Sequence, residues 1–124
     1  MRLAIALASA FVMATSACHG LRPESAADIN GSATIKIING NRLDVVLYVA
    51  HDAYRERLGD VTANTTRTFE LKFRSLGAGH EFSLIADPVG SLEPIRTEVL
   101  HPQDGQIVTW TLESDFSRSH VQIF

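Results

Sequence analysis

The chain has 124 residues, of which 45% are hydrophobic, 20% charged and 7% aromatic, which is the composition of a globular protein rather than a disordered or fibrous one. Its 11 basic and 14 acidic side chains give a net charge of −3, so we expect no nucleic-acid partner, because such partners normally require a basic domain or stripe. The single cysteine excludes an internal disulfide framework and any multi-cysteine zinc or iron–sulfur site.

Residues 1–17 have the layout of a secretory signal peptide. Arg2 precedes an apolar run of twelve residues, Leu3 to Ala14, and the small residues Thr15, Ser16 and Ala17 follow. A charged start, a short apolar core and a small-residue cleavage site are typical of such signals. The run is too short to span a bilayer as a helix, which takes roughly 20 residues. We therefore expect residues 1–17 to be removed on export.

Cys18 directly follows this signal and is a candidate lipid attachment site. The segment Ala14 to Cys18 resembles the signal of bacterial lipoproteins, in which small residues lead into an acylated cysteine, although Thr15 stands where that family usually has leucine. The resemblance implies a protein anchored by acyl chains to a membrane of the bacterial cell envelope, facing the periplasm or the exterior. The alternative is ordinary signal-peptidase cleavage near Ala17, which would leave Cys18 as a free thiol.

Residues 18–32 are predicted to form the lipidated N-terminus and a flexible linker, since they contain turn-forming residues such as Gly20, Pro23 and Gly31 and lack periodicity. Residues 33–124 suffice for one small domain. In that part apolar and polar residues alternate with period two, as Ile35 and Ile37 do with Thr34 and Lys36. The pattern predicts strands over about residues 33–38, 43–50, 54–61, 66–73, 81–87, 94–100, 106–113 and 119–123. We expect an all-β fold, a single antiparallel β-sandwich of immunoglobulin-like type with seven or eight strands.

Several positions make this prediction more specific. Asn39-Gly40 suits a tight hairpin between the first two strands, because both residue types tolerate positive φ. Glu56 falls on the inward face of its strand by alternation, so we expect an edge strand or a bulge where its carboxylate reaches solvent. Trp110 and Tyr48 fit core positions.

The domain also resembles a known group of proteins. The segments RLDVVLYV (42–49), RLGDV (57–61) and NTTRTFEL (64–71) are similar to those of small bacterial envelope lipoproteins of uncharacterised function. The similarity spans most of residues 33–124 and implies a lipid-anchored β domain without known catalysis. It supplies no active-site residues.

The search for catalytic and metal-binding motifs gives mostly exclusions. His51, His80 and His101 fall at strand ends or turns where they could converge, but no pair has the spacing of a zinc motif. The chain has no Gly-x-Ser-x-Gly segment, and Gly77-Ala78-Gly79 lacks the rest of any nucleotide-binding motif. We predict no catalytic residue, no metal and no cofactor, and a binding or scaffolding module. The alternatives are a small periplasmic metal-binding protein or enzyme, and an accessory subunit of an envelope assembly.

One cationic feature is a candidate binding surface. Arg55 and Arg57 share a face of one predicted strand, and Lys72 and Arg74 share the outward face of the next. Pairing of these strands as a hairpin would gather four positive charges on an acidic protein. Such a patch could bind an anionic glycan, a lipid headgroup or an envelope protein. The alternative is a solvated face in which these cations pair with neighbours such as Glu70.

Overall fold

The structure is a computed structural model that describes residues 30–77, 79–90 and 93–124. The predicted signal peptide, Cys18 and most of the predicted linker lie outside these residues. The described elements are eight strands and two short 3-10 helices: β1 (Ser32–Asn39), β2 (Val45–His51), β3 (Tyr54–Val61), β4 (Thr66–Lys72), η1 (Phe73–Ser75), β5 (Ser83–Pro88), β6 (Ile95–Arg96), β7 (Ile107–Leu112), η2 (Phe116–Arg118) and β8 (His120–Ile123).

The strands form two four-stranded sheets that pack face to face, so the predicted all-β sandwich is confirmed. Sheet A has the order β4-β1-β7-β8 and sheet B the order β3-β2-β5-β6. All the strand pairs are antiparallel except β1 with β7, which run parallel. Parallel neighbours require a long crossover, and here the chain passes through sheet B between them.

Alternating side chains of both sheets form one core. Sheet A contributes the inward residues of β1 and β7, and sheet B those of β2 and β5. The fully buried apolar residues include Ile35, Ile37, Leu47, Val49, Phe82, Leu84, Val108 and Leu112. Strands β1, β2 and β7 therefore bury one apolar face, as their period-two pattern predicts, whereas β5 is buried on both faces.

The two ends of the sandwich carry different loops. We call the end where β1 begins the proximal end; it holds the β2–β3 turn, η1 and the loop before β7, and the backbone N–H of Gly105 donates there to Ser32 O at 2.9 Å. We call the opposite end the distal end; it holds the β1–β2, β3–β4 and β7–β8 connections. Asn39 lies at the distal end, where its side-chain amide joins two of these connections by donating to Leu43 O at 2.9 Å and Val61 O at 3.2 Å.

The expected hairpin at Asn39-Gly40 is wrong. β1 and β2 belong to different sheets, so residues 40–44 cross from one sheet to the other. Asn39 is the last residue of β1 and only 1% exposed. Its amide donates to Leu43 O and its Oδ1 accepts from the Asn41 backbone N–H, so its side chain stabilises the crossing between the sheets rather than a hairpin. Gly40 is needed for space, because a Cβ at this position would lie 2.8 Å from Leu112 O.

The explanation proposed for Glu56 is confirmed. β3 is the edge strand of sheet B, and its pairing with β2 shifts register between Leu47 and Tyr48. The bulge places Glu56 opposite Val49 beyond the covered part of the core, where the carboxylate is exposed.

Candidate functional site

The lateral side of the sandwich at β3 and β4 is closed. The Arg67 guanidinium donates from Nη1 to Asp60 O at 2.6 Å and lies 4.7 Å from the centroid of the Phe69 ring. Gly59 makes room for both side chains, because a Cβ there would lie 3.0 Å from each. Arg67 and Phe69 thus cover the gap between the edge strands of the two sheets.

The opposite side, at β6 and β8, is open. Strand β6 has only two residues, Ile95 and Arg96, so it covers little of the gap between the sheets. A cleft of about 540 Å³ lies between it and β8, lined by Ile95, Arg96, Thr97, Glu98, Trp110, Phe116, Ser117, Ser119, His120 and Val121. This volume is within the range of sites that bind ligands in other proteins. We therefore take the β6–β8 cleft as the candidate site.

The short length of β6 has a local cause. The backbone N–H of Thr97 donates to Leu84 O at 2.9 Å, but the N–H of Leu84 donates to the Thr97 side-chain Oγ1 at 3.0 Å rather than to a backbone carbonyl. A hydroxyl thus takes the place of a ladder acceptor and ends the strand. The sequence prediction of a strand over 94–100 is too long for this reason.

The cleft has an apolar interior and a polar rim. Trp110 is 3% exposed and forms its floor, and Ile95, Phe116 and Val121 are partly buried against the same core. Arg96, Glu98 and His120 are exposed at the rim. Such a surface can bury apolar side chains of a ligand and place polar or charged groups around them.

Strand β8 presents unpaired backbone groups next to this cleft. Ile107 and Phe124 exchange both of their backbone hydrogen bonds, at 3.1 and 2.9 Å. Because antiparallel pairs alternate between bonded and non-bonded, the N–H and C=O groups of Val121 and Ile123 point away from β7. These groups form the free edge of sheet A.

The loop before β8 is held by Asp115, which caps η2. Its carboxylate accepts from the Ser117 hydroxyl at 2.7 Å and from the Ser117 backbone N–H at 3.0 Å. These two bonds hold the pKa of Asp115 below its ordinary value, against a smaller opposing effect of desolvation, and the charge of Arg118 lowers the pKa least of all. The cap helps to position Phe116, which packs on the core and lines the cleft.

The structure does not pair β3 with β4, so the predicted gathering of four cations by a hairpin is wrong. Strand β4 pairs with β1 in sheet A, whereas β3 pairs with β2 in sheet B. Arg57 donates to Asp60 at 2.6 Å. Lys72 ends β4 of sheet A, Arg74 follows it in η1, and the two share a small depression with Glu70.

Arg55 is accounted for by its neighbours on the outer face of sheet B. It lies 4.0 Å from Asp87 and 3.8 Å from the centroid of the Tyr48 ring. Tyr48 is consequently on the outer face and only half-buried, which corrects its predicted core position. Trp110 does occupy the core as predicted.

The three histidines of the strand ends lie at the proximal end but have different neighbours. The His51 ring stacks near Tyr54 with centroids 6.0 Å apart, the His80 ring lies 5.2 Å from that of Phe73, and His101 lies 3.7 Å from Glu81. Neither ring nitrogen of His80 has a hydrogen-bond partner in the described residues. Among these residues no three His, Cys, Asp or Glu side chains form a group suited to a metal ion.

Sequence reasoning missed the cleft. Its residues come from three separated segments, and the partly buried Phe116 lies in a stretch that the alternation pattern treats as a loop. The cleft arises because the edge strand β8 of sheet A and the short edge strand β6 of sheet B lie on the same side, which depends on strand order and is absent from local patterns.

Comparison with known proteins adds little. No known protein family matches the chain, and no curated protein does so either. A solved NMR structure of a protein from Eubacterium rectale is similar, with 19% sequence identity, a TM-score of 0.45, and coverage of 78% of this chain and 90% of that one. Within residues 30–77, 79–90 and 93–124, no helix has the length and apolar character required to cross a membrane.

Proposed function

We propose that the chain is a lipid-anchored protein of the bacterial cell envelope whose sandwich is a binding module for an extended segment of a partner protein. The segment would add to the free edge of β8 and place alternate side chains in the β6–β8 cleft. The observation that carries this proposal is the coincidence of an unpaired strand edge with an open cleft that has an apolar floor, on the same side of the sandwich.

The anchor part of the proposal rests on the segment Ala14 to Cys18. A secretory signal followed by small residues and a cysteine is the sequence basis for acylation. The test is mass spectrometry of the mature chain made in a bacterial host, with Cys18→Ser as the control. We expect residues 1–17 to be absent and Cys18 to carry acyl chains; an unmodified thiol at Cys18 would overturn the anchor.

The binding part rests on backbone geometry. An added strand would bond to Val121 and Ile123, whose N–H and C=O groups point away from β7, and every second side chain would enter the cleft. The apolar residues Ile95, Phe116 and Val121 favour apolar side chains at those positions. Binding of this kind would make the protein an accessory subunit of an envelope assembly.

Site-specific photo-crosslinking in cells tests the binding part. A photoreactive residue at Ile123 reports on the cleft side, and one at Thr68, exposed on the outer face of sheet A at the far edge, is the matched control. We expect one partner segment to crosslink from Ile123 and not from Thr68. That segment, made as a synthetic peptide, is expected to slow amide exchange at Val121 and Ile123. A peptide that bound without protecting these two amides would overturn strand addition.

A further inference from the structure

Apolar exposure is unequal between the two ends of the sandwich. Six large hydrophobic side chains are exposed in the described residues, and five of them lie in the proximal half. They are Tyr54 at 71%, Phe124 at 68%, Val99 at 53%, Ile107 at 41% and Ile123 at 39% exposure. The sixth, Val89, is 58% exposed and lies at the distal end, where its N–H donates to Asp44 O at 2.8 Å.

These side chains occupy two corners of the proximal end. Tyr54 follows the turn between β2 and β3 at the edge of sheet B. Ile107 and Phe124 are paired neighbours at the opposite lateral side, in sheet A. A flat surface that met the proximal end would therefore contact apolar groups at both corners.

The chain leaves the sandwich toward Cys18 from this same end. Gly31 O accepts from the Phe73 N–H at 2.9 Å, which fixes the start of β1 among the proximal loops. Residues 18–29 connect this point to Cys18, and fully extended they would span at most about 40 Å. An anchored sandwich is thus confined near the bilayer, and even a weak contact with lipid is populated at such high local concentration.

We propose that the proximal end docks on the lipid bilayer, with Tyr54 and the Ile107–Phe124 corner entering the headgroup region. This inference rests on the proposed lipid anchor. Tyrosine and other aromatic residues favour the interface, where an apolar ring and a polar group are both satisfied. The docked orientation points the distal end away from the membrane and leaves the β6–β8 cleft on the side of the molecule.

The contact is apolar rather than electrostatic. The proximal end carries both signs of charge, with the cations Lys72 and Arg74 at the end of β4 and in η1 and the acidic residues Asp52, Glu81 and Asp104 in its loops. Among the described residues of this end, no large excess of positive charge attracts anionic lipid. Docking should therefore persist at high ionic strength, at which headgroup attraction is screened.

Tryptophan probes test the docking. Tyr54→Trp and Phe124→Trp report on the proximal end, and Val89→Trp reports on the distal end. The buried Trp110 contributes the same background fluorescence in all three variants. Each purified chain is attached to vesicles of phosphatidylethanolamine and phosphatidylglycerol. We expect a blue-shifted emission and loss of acrylamide quenching for both proximal probes on attachment, in low and high salt, and no change for Val89→Trp.

The design separates this inference from the lipid anchor. If Cys18 carries no acyl chain, the lipid anchor of the proposed function is wrong. The docking is then tested by coupling the free thiol of Cys18, the single cysteine, to a maleimide lipid in the vesicles. Proximal probes that stay fully quenched on either kind of attachment would overturn the docking. Protection that occurs without vesicles and grows with protein concentration would assign the surface to a second copy of the chain and also overturn it.

Discussion

The Asn41 backbone N–H donates to Asn39 Oδ1 at 3.0 Å, and both side chains are buried, at 1% and 6% exposure. Asn39 also bonds to the end of β3, and Asn41 donates to Glu113 O at 3.1 Å and Ser114 O at 2.9 Å in the loop after β7. The two residues thus join three connections at the distal end. Buried amides with all their bonds satisfied specify one arrangement of these loops.

Asn39→Ala is expected to destabilise the fold by about 1–3 kcal/mol, because the buried carbonyls of the loops lose their donor. Asn39→Asp should cost more, since a carboxylate of the same shape cannot donate to Leu43 O and Val61 O. Urea unfolding followed by circular dichroism measures both. If Asn39→Asp were as stable as the unmodified chain, these hydrogen bonds would not hold the distal end.

Gly59→Val is expected to destabilise the chain by at least about 1–3 kcal/mol through backbone strain alone, because Gly59 has φ +157°. The added side chain must also displace Arg67 and Phe69, which lie 3.0 Å from the position of a Cβ. Gly105→Ala is the control, since its φ of +80° is strained but no atom lies within 4 Å. Equal losses for the two variants in urea unfolding would show that Arg67 and Phe69 do not close this side.

The sequence predicted the strands well but not their neighbours. Local alternation correctly predicts that Ile35, Ile37, Val108 and Leu112 face inward, because successive residues of a strand point to opposite faces of the sheet. The sheet assignments depend on contacts between distant segments, which local alternation does not contain. The pattern therefore predicts a hairpin of β3 and β4 that would gather four cations, whereas β4 pairs with β1 and β3 with β2. Its residue type predicts Asn39 in a hairpin turn, whereas its side chain donates to Val61 O at the end of β3, 22 residues away.

Trp110→Ala should cost roughly 3–5 kcal/mol of stability, because it removes a 3% exposed ring from the core. Trp110→Phe keeps most of the apolar contact and is expected to lose less while opening the floor of the β6–β8 cleft. Urea unfolding followed by circular dichroism measures the stability of both variants. The affinity for the partner peptide shows whether the peptide contacts the floor of the cleft. A partner that bound Trp110→Phe and the unmodified chain alike would not reach the floor of the cleft.

Asp115→Ala should loosen η2 and speed amide exchange at Ser117 and Phe116. In the unmodified chain the folded-state pKa of Asp115 lies below its unfolded value, so the stabilisation is present above the ordinary aspartate pKa. It is lost as the pH falls through the lower folded-state value. Asp52→Ala, at the exposed proximal turn, is the control. The checked quantity is the protection factor of the Ser117 amide, which is the intrinsic exchange rate at each pH divided by the measured one. A protection factor that did not fall with acid would contradict the cap.

The most direct measurement of the central claim compares two variants of Ile123 for binding to the partner segment. Ile123→Pro removes an N–H that points away from β7 and so spares the sheet, as proline does on edge strands, whereas Ile123→Ala keeps that N–H and only shortens the side chain. The account predicts that both variants fold, that Ile123→Ala binds the segment and that Ile123→Pro does not. Equal binding by two folded variants would contradict strand addition at β8.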